Sequence, residues 1–284
     1  VDAVAPVVSI NDVVTSDTTP ALTGNVDDPT ATVVVTIDGQ DYTATNNGDG
    51  TWTLADDTVD ALAEDSYSAT VTATDLEGNG STANGTVIID TTAPDAPTID
   101  AGNGTEITGT GEANAVIEVD VDGDGTPDLT TTADGDGNWS VTPDTPLADG
   151  TVVTATATDA AGNTSAPASD TVDAVAPVVS INDVVTSDTT PALTGNVDDP
   201  TATVVVTIDG QDYTATNNGD GTWTLADDTV DALAEDSYSA TVTATDIDGN
   251  SASNIGTVVI DQTAPAAPTI DAGNGTVITG TAEA

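Results

Sequence analysis

Apolar and polar residues alternate along this chain in short runs. Thr32-Val33-Val34-Val35-Thr36-Ile37 and Thr70-Val71-Thr72-Ala73-Thr74 are typical. The residues are Val, Ile, Thr and Tyr, which suit a pleated surface with one buried face. Clusters of Gly, Asp and Asn interrupt the runs roughly every ten residues, as turns between strands do. The pattern predicts strands near Val7–Ile10, Ala21–Val26, Thr32–Ile37, Gln40–Ala44, Thr51–Leu54, Tyr67–Thr74 and Thr86–Ile89. No stretch has helical periodicity. Asp56–Asp65 is a weak candidate for one helical turn.

Repeats organise these strands. Residues 1–75 recur unchanged at 172–246, an offset of 171 residues. An Asp-x-x-Ala-Pro element opens four segments, at Asp2, Asp90, Asp173 and Asp261. Two related module types therefore alternate, with expected boundaries 1–89, 90–172, 173–260 and a truncated start at 261–284. Both types carry a Leu/Ile-Thr-Gly (Leu22 to Gly24; Ile107 to Gly109), a Gly-Asp-Gly-x-Trp turn (Gly48 to Trp52; Gly135 to Trp139) and an Ala-Thr-Asp-x-x-Gly-Asn (Ala73 to Asn79; Ala157 to Asn163). Seven short strands in about 85 residues fit an immunoglobulin-like sandwich. The expected fold is all-β: tandem immunoglobulin-like β-sandwich modules in an elongated end-to-end array. Each core is lean, with one Trp as its large anchor. A domain this small is marginal on burial alone and calls for a further staple.

Charge narrows the function. The chain has 284 residues, 49 of them Asp or Glu, with no Lys, Arg, His or Cys. Without cations it cannot neutralise a nucleic-acid backbone or an anionic membrane surface. Without Cys, His or Lys it has no disulfide, thiolate or imidazole metal site, Schiff-base lysine or usual general base. No run of about 18 apolar residues is present to form a membrane span. The chain opens Val-Asp-Ala, with neither initiator Met nor signal peptide, and reads as an excerpt of a longer protein. Oxygen ligands remain, and these suit calcium more than softer metals.

Loop geography gathers those oxygens. In an immunoglobulin sandwich the chain enters beside the BC and FG loops. The first module would then assemble Asp2, Asp27, Asp75 and Asn79. The second would assemble Asp90, Glu112, Asp159 and Asn163, and the third Asp173, Asp198, Asp246 and Asn250. Asp261 and Glu283 begin the fourth set. The preceding module could add its opposite-end loop, such as Glu64 and Asp65 or Asp149. A second candidate is Asp120, Asp122, Asp124 and Asp128, spaced like the first half of an EF-hand loop, with Gly125 at the sixth position. It lacks the closing Glu, since Thr131 stands at position twelve. Turn chemistry is the competing reading of every one of these groups. The Gly-Asp-Gly turns read as hairpins, and the Thr70/Thr72/Thr74 and Thr154/Thr156/Thr158 rows as solvent faces of strands. Paired carboxylates could hydrolyse glycosides, but nothing singles out one pair, and duplicated modules point to mechanical repetition. No enzyme activity is expected.

The linker Asp90-Thr-Thr-Ala-Pro94, the Ile107-to-Ala113 segment, the Gly137-Asn-Trp-Ser140 turn and the Ala157-to-Asn163 loop resemble tandem bacterial Ig-like repeats. Such repeats form the extender stalks of giant RTX-type biofilm adhesins, which are exported by type I secretion. The resemblance implies modules rigidified by calcium at or near their junctions, with binding domains elsewhere in the polypeptide. It implies a secreted, cell-surface location, neighbouring modules as partners, a monomeric array, and a final ligand held by other domains. The acidic surface suits a salty, calcium-containing medium, although a halophile's solvation strategy would also account for charge alone. The alternative function is that the modules themselves bind a glycan or protein. Such sites use exposed aromatics, and this chain has three Trp and four Tyr.

Overall fold

The computed structural model describes residues 3–271 and 278–282. Strands and turns make up this part, and no helix occurs among the described residues. The chain divides into two compact units, 1–172 and 173–284.

The first unit holds two sandwiches with separate cores. The first is built from β1 (Val13–Thr15), β2 (Leu22–Asn25), β3 (Thr32–Ile37), β4 (Gln40–Asn46), β5 (Thr51–Leu54), β6 (Asp65–Thr74) and β7 (Gly80–Ile89). Order β1-β7-β6-β3-β4-β5-β2 runs continuously, because β4 pairs with β3 along most of its length and with β5 at its far end. Alternate residues point inward: Val33, Val35 and Ile37 on β3, and Ala69, Val71 and Ala73 on β6, are all buried. Val59 and Leu62 close the core from the loop between β5 and β6.

The entering strand changes sheets. Residues 8–11 pair antiparallel with β2, and β1 then pairs parallel with β7. Asp12 stands at the crossing, where its carboxylate accepts the Thr86 amide at 2.7 Å in place of a backbone carbonyl. Ile10 crosses Gly85 so closely that a Cβ there would lie 2.8 Å from it.

The second sandwich is shorter. β9 (Val116–Asp120), β10 (Leu129–Thr132), β12 (Val152–Thr158) and β13 (Ala168–Thr171) form one sheet, and β8 (Ile107–Thr110) pairs with β11 (Asn138–Val141) in the other. Its core gathers Ile107, Ile117, Val119, Trp139 and Val153.

The second unit repeats the first sandwich in β14 (Val179–Ile181), β15 (Val184–Thr186), β16 (Leu193–Val197), β17 (Thr203–Ile208), β18 (Gln211–Asn217), β19 (Thr222–Leu225), β20 (Asp236–Thr245) and β21 (Ser251–Ile260). A last hairpin pairs β22 (Thr269–Asp271) with β23 (Thr279–Thr281).

The all-β expectation holds, and its details need correcting. The weak candidate for a helical turn, Asp56–Asp65, is an irregular loop up to Glu64, and Asp65 begins β6. The loop's backbone is tied elsewhere, from Asp57 N to Thr19 O (3.0 Å), from Leu62 N to Thr18 O (2.9 Å) and from Asp60 N to the Tyr42 hydroxyl (3.0 Å). The last two strands begin earlier than alternation suggested, at Asp65 and Gly80, because one long hairpin pairs Asp65 with Ile89 through to Thr74 with Gly80. β1 was not expected; a three-residue strand carries too little pattern.

The Leu/Ile-Thr-Gly and Gly-x-Trp motifs turn out to be one feature. Trp52 pairs with Gly24 across β2 and β5. Its Nε1 donates to the Ser9 carbonyl at 2.8 Å, and Trp223 does the same to Ser180. A Cβ on Gly24 would sit 1.9 Å from that carbonyl oxygen and 2.7 Å from the indole nitrogen. Trp139 packs on Gly109 similarly, but its buried Nε1 has no partner.

Candidate cation-binding loops

Each sandwich ends in an acidic loop cluster, with two recurring devices. In the first, an Asp opens the turn after the penultimate long strand and caps it. Asp75 accepts the amides of Glu77 (2.9 Å) and Asn79 (2.8 Å) on one oxygen and the Asn79 side chain (2.7 Å) on the other. The Asn79 side chain leads in holding this carboxyl below its ordinary value. Asp159 repeats the pattern with Ala161 and Asn163, all at 2.8 Å. Burial pushes its carboxyl upward, but those hydrogen bonds outweigh it and the net shift is downward. Asp246 and Asn250 form the third copy, at 2.7 and 2.9 Å.

The second device ties the incoming linker. Asn163 also donates to the Asp90 carbonyl at 2.8 Å, and Asn250 to that of Asp173 at 2.8 Å. Asp27 and Asp198 accept the amides of Val7 and Val178, each at 2.7 Å.

These contacts bring most of the sequence-derived groups together. Asp173, Asp198 and Asp246 line one hollow of about 410 Å³, with Asp199 and Asp248 at its wall. Asp27 and Asp75 line its counterpart of about 390 Å³, joined by Asp28 and Glu77. In the second sandwich, Asp90, Asp159 and Asn163 are linked through Asn163, whereas Glu112 lines a separate hollow with Asp95 and Thr98. Asp2 and Glu283 lie outside the described residues. The Asp261 carboxylate accepts the Thr263 amide at 2.9 Å.

The loop between β9 and β10 is the tightest group. Among the described residues, Asp120, Asp122 and Asp124 form the set of carboxylates whose oxygens all lie within 4.8 Å of one another. The chain wraps around them. Asp120 accepts the amides of Asp122 (3.1 Å), Gly123 (2.7 Å) and Gly125 (2.9 Å), and Asp124 accepts the Thr126 hydroxyl (2.6 Å) and amide (2.7 Å). The Thr126 hydroxyl leads in lowering the Asp124 carboxyl. Gly123 and Gly125 adopt φ of 74° and 86°, which favours glycine. Asp128 turns to the start of the loop and accepts the Val121 amide at 2.9 Å. Thr131 pairs with Ile117 in the ladder, so position twelve belongs to the strand. This donor set is oxygen throughout and fits a hard divalent cation.

Two features escaped sequence reasoning. Asp17 stands beside Asp56, a carboxylate 39 positions away. Asp56 is pushed up by this contact and the charge of Asp17, and Asp17 is lowered, first by the Thr19 amide. Asp188 and Asp227 repeat the pair. Glu64 accepts the Thr91 hydroxyl (2.6 Å) and the Thr92 hydroxyl (2.9 Å), clasping the linker that leaves its own sandwich. Only the general place of Glu64 near a junction was legible beforehand.

Family models agree with the fold. Residues 7–91 and 178–262 match the family described as bacterial Ig-like domain, and 93–174 match the one described as bacterial Ig domain. Among solved structures, the chain is similar to a 1.5-MDa bacterial ice-binding adhesin studied for host cell surface retention. That likeness is 22% identical over 92% of this chain and 100% of the other, with a TM-score of 0.31. A Ca2+-stabilised adhesin that helps an Antarctic bacterium bind ice is 25% identical, over 91% and 74%, at 0.32. A tetra-tandem repeat from the extending region of a large adhesion protein is 25% identical, over 98% and 87%, at 0.30. No curated protein matches the chain. With two copies of one family's domain spanning more than half of its length, this chain belongs to the bacterial Ig-like domain family.

Proposed function

We propose that the chain is an extender segment of a secreted bacterial surface adhesin of the RTX type, a stalk that projects a distal adhesive domain from the cell. Its four modules are divided at residues 89, 172 and 260, and calcium stiffens their junctions. The observation that carries this reading is the placing of Asp173, Asp198 and Asp246 around one hollow at the end where the linker enters. Their unneutralised charges repel, and a divalent cation taking 6–8 oxygens reverses that sign. The ligands proposed at junctions are Asp27 and Asp75 with Asn79, Asp90 and Asp159 with Asn163, Asp173, Asp198 and Asp246 with Asn250, and Asp261. Asp2 and Glu283 complete the sets on sequence grounds, whereas Glu112, which lines a hollow with Asp95 and Thr98, stands apart from the set of its own module. The Asp120–Asp128 loop is a further, separate calcium site.

The same reading has no catalytic centre. The large aromatics serve packing: Trp52 and Trp223 are fully buried and Trp139 nearly so. That leaves them unable to stack on a ligand and favours a spacer over a glycan- or protein-binding module.

Small-angle scattering of the chain in calcium and in EGTA tests the proposal. Each module should add about 40 Å to a rod, from strands of about 3.3 Å per residue plus loops. A rod-like profile in calcium that broadens in EGTA is the expected result. Superimposable profiles would show that metal does not set the joints.

A further inference from the structure

Identical sequences in two settings isolate what a neighbouring module does. Val14 and Val185 lie at matching positions of the repeated segment, on β1 and β15. Val14 is 45% exposed and Val185 is 75% exposed. Two residues on, Ser16 is half-buried and Ser187 is exposed. The local frame is the same in both copies: β1 and β15 pair parallel with β7 and β21, and the Trp52 and Trp223 anchors bond alike. Facing Val14, Ile88 replaces Val259, a change of one methylene. The larger difference is a contact from the second sandwich. The Ser16 amide donates at 3.0 Å to the carbonyl of Ala161, in the FG loop of that sandwich. The same loop holds the linker through Asn163 and Asp90.

We infer that the face around Val185 and Ser187 is a docking surface for a module of the second type, which seats its FG loop there as the loop at 159–163 meets Ser16 through Ala161, next to the less exposed Val14. The contact joins a backbone donor to a loop carbonyl, beside an apolar side chain. The linker geometry for it is already in place. Glu235 accepts the Thr263 hydroxyl as Glu64 accepts that of Thr92, although Gln262 replaces Thr91. The β22–β23 hairpin reproduces the start of the second sandwich, down to the 2.7 Å Thr269–Thr281 contact that matches Thr98–Thr110. This inference rests on the stalk reading for the order of modules, and not on calcium.

The chain has no cysteine, so single-thiol labelling reads the two faces directly. In calcium-containing buffer, the thiol introduced by Val185→Cys in the 284-residue chain should react with a maleimide several-fold faster than that introduced by Val14→Cys. Adding a copy of residues 114–172 after Ala284 completes the fourth module. The rate at position 185 should then fall to the rate at position 14. Conversely, unfolding the second sandwich with Trp139→Asp should raise the rate at position 14 to that of position 185. Equal rates in the two single variants overturn the inference. So does a rate at position 14 that ignores Trp139→Asp, or a rate at position 185 unchanged beside a folded added module. Because calcium is held constant throughout, a failure here is distinct from a failure of the metal reading, which the comparison of calcium with EGTA tests.

Discussion

The side chain of Asn163 donates one hydrogen bond to the carboxylate of Asp159 and another to the main-chain carbonyl of Asp90, each at 2.8 Å. One amide thus closes the FG turn of the second sandwich and fastens the linker that enters it. Asn163→Ala should lower the stability of that sandwich by about 1–2 kcal/mol, since one of the lost bonds is to a charged acceptor. Chemical denaturation followed at Trp139 measures it. A loss below about 0.5 kcal/mol would show that water replaces both bonds.

Calcium should raise the melting temperature. Extracellular calcium modules bind at about 0.1–1 mM, and one site at ten times its dissociation constant adds ~1.4 kcal/mol. The control is sodium chloride at matched ionic strength. Calorimetric titration of Asp159→Ala and Asp122→Ala should show lost binding, whereas Asp136→Ala, in a hairpin turn, should bind as the parent does. Equal losses in all three would break the assignment of sites.

Gly24→Ala should cost more than about 3 kcal/mol, because its Cβ would lie 1.9 Å from the Ser9 carbonyl oxygen and must displace the entering strand or Trp52. Gly39 has φ of 76° but open space around it. Gly39→Ala should cost only about 1 kcal/mol, for the left-handed backbone alone. Comparable losses in urea titrations would mean that the strand yields easily.

Trp52→Phe and Trp139→Phe remove similar volume, but only the first removes a hydrogen bond. Trp139→Phe should be the milder by about 1 kcal/mol. Denaturant midpoints of the two variants decide the order. The reverse order would mean that the Trp139 nitrogen has a partner in solution.

Acid should loosen the Glu64 clasp. Its carboxyl is held below the ordinary value of 4.5 chiefly by the Thr91 and Thr92 hydroxyls. A lowered folded-state value means that the contribution is present above the unfolded value and is lost as pH falls through the folded one. Glu64→Gln should therefore lower the melting temperature at pH 7 and have little effect near pH 3. Asp56, shifted up, should behave oppositely. Its repulsion with Asp17 opposes folding at neutral pH, so Asp56→Asn should raise the melting temperature there and lose that advantage in acid. Parallel melting curves across pH for parent and variants would contradict both.

Sequence by itself determined the strands that carry full alternation, such as β3 and β5, whose limits it placed to the residue, because period two and Gly/Asp turns are local properties. It also determined the repeat and the oxygen-only chemistry, which come from residue order and composition. Tertiary structure decided the rest, where partners are distant in sequence. The crossing at Asp12 depends on Thr86, 74 positions on. The glycine of Leu-Thr-Gly is required by Trp52 and Ser9, which alternation cannot connect. The loop at 56–64 avoids a helix because Thr18, Thr19 and Tyr42 take its backbone bonds. Among the acidic residues, loop position predicted that Asp173, Asp198 and Asp246 meet at one hollow. It did not predict that Glu112 lines a hollow with Asp95, nor that Asp17 stands beside Asp56. A turn's chemistry is written in consecutive residues, whereas the company a carboxylate keeps depends on how the two sheets and the next module fold against it.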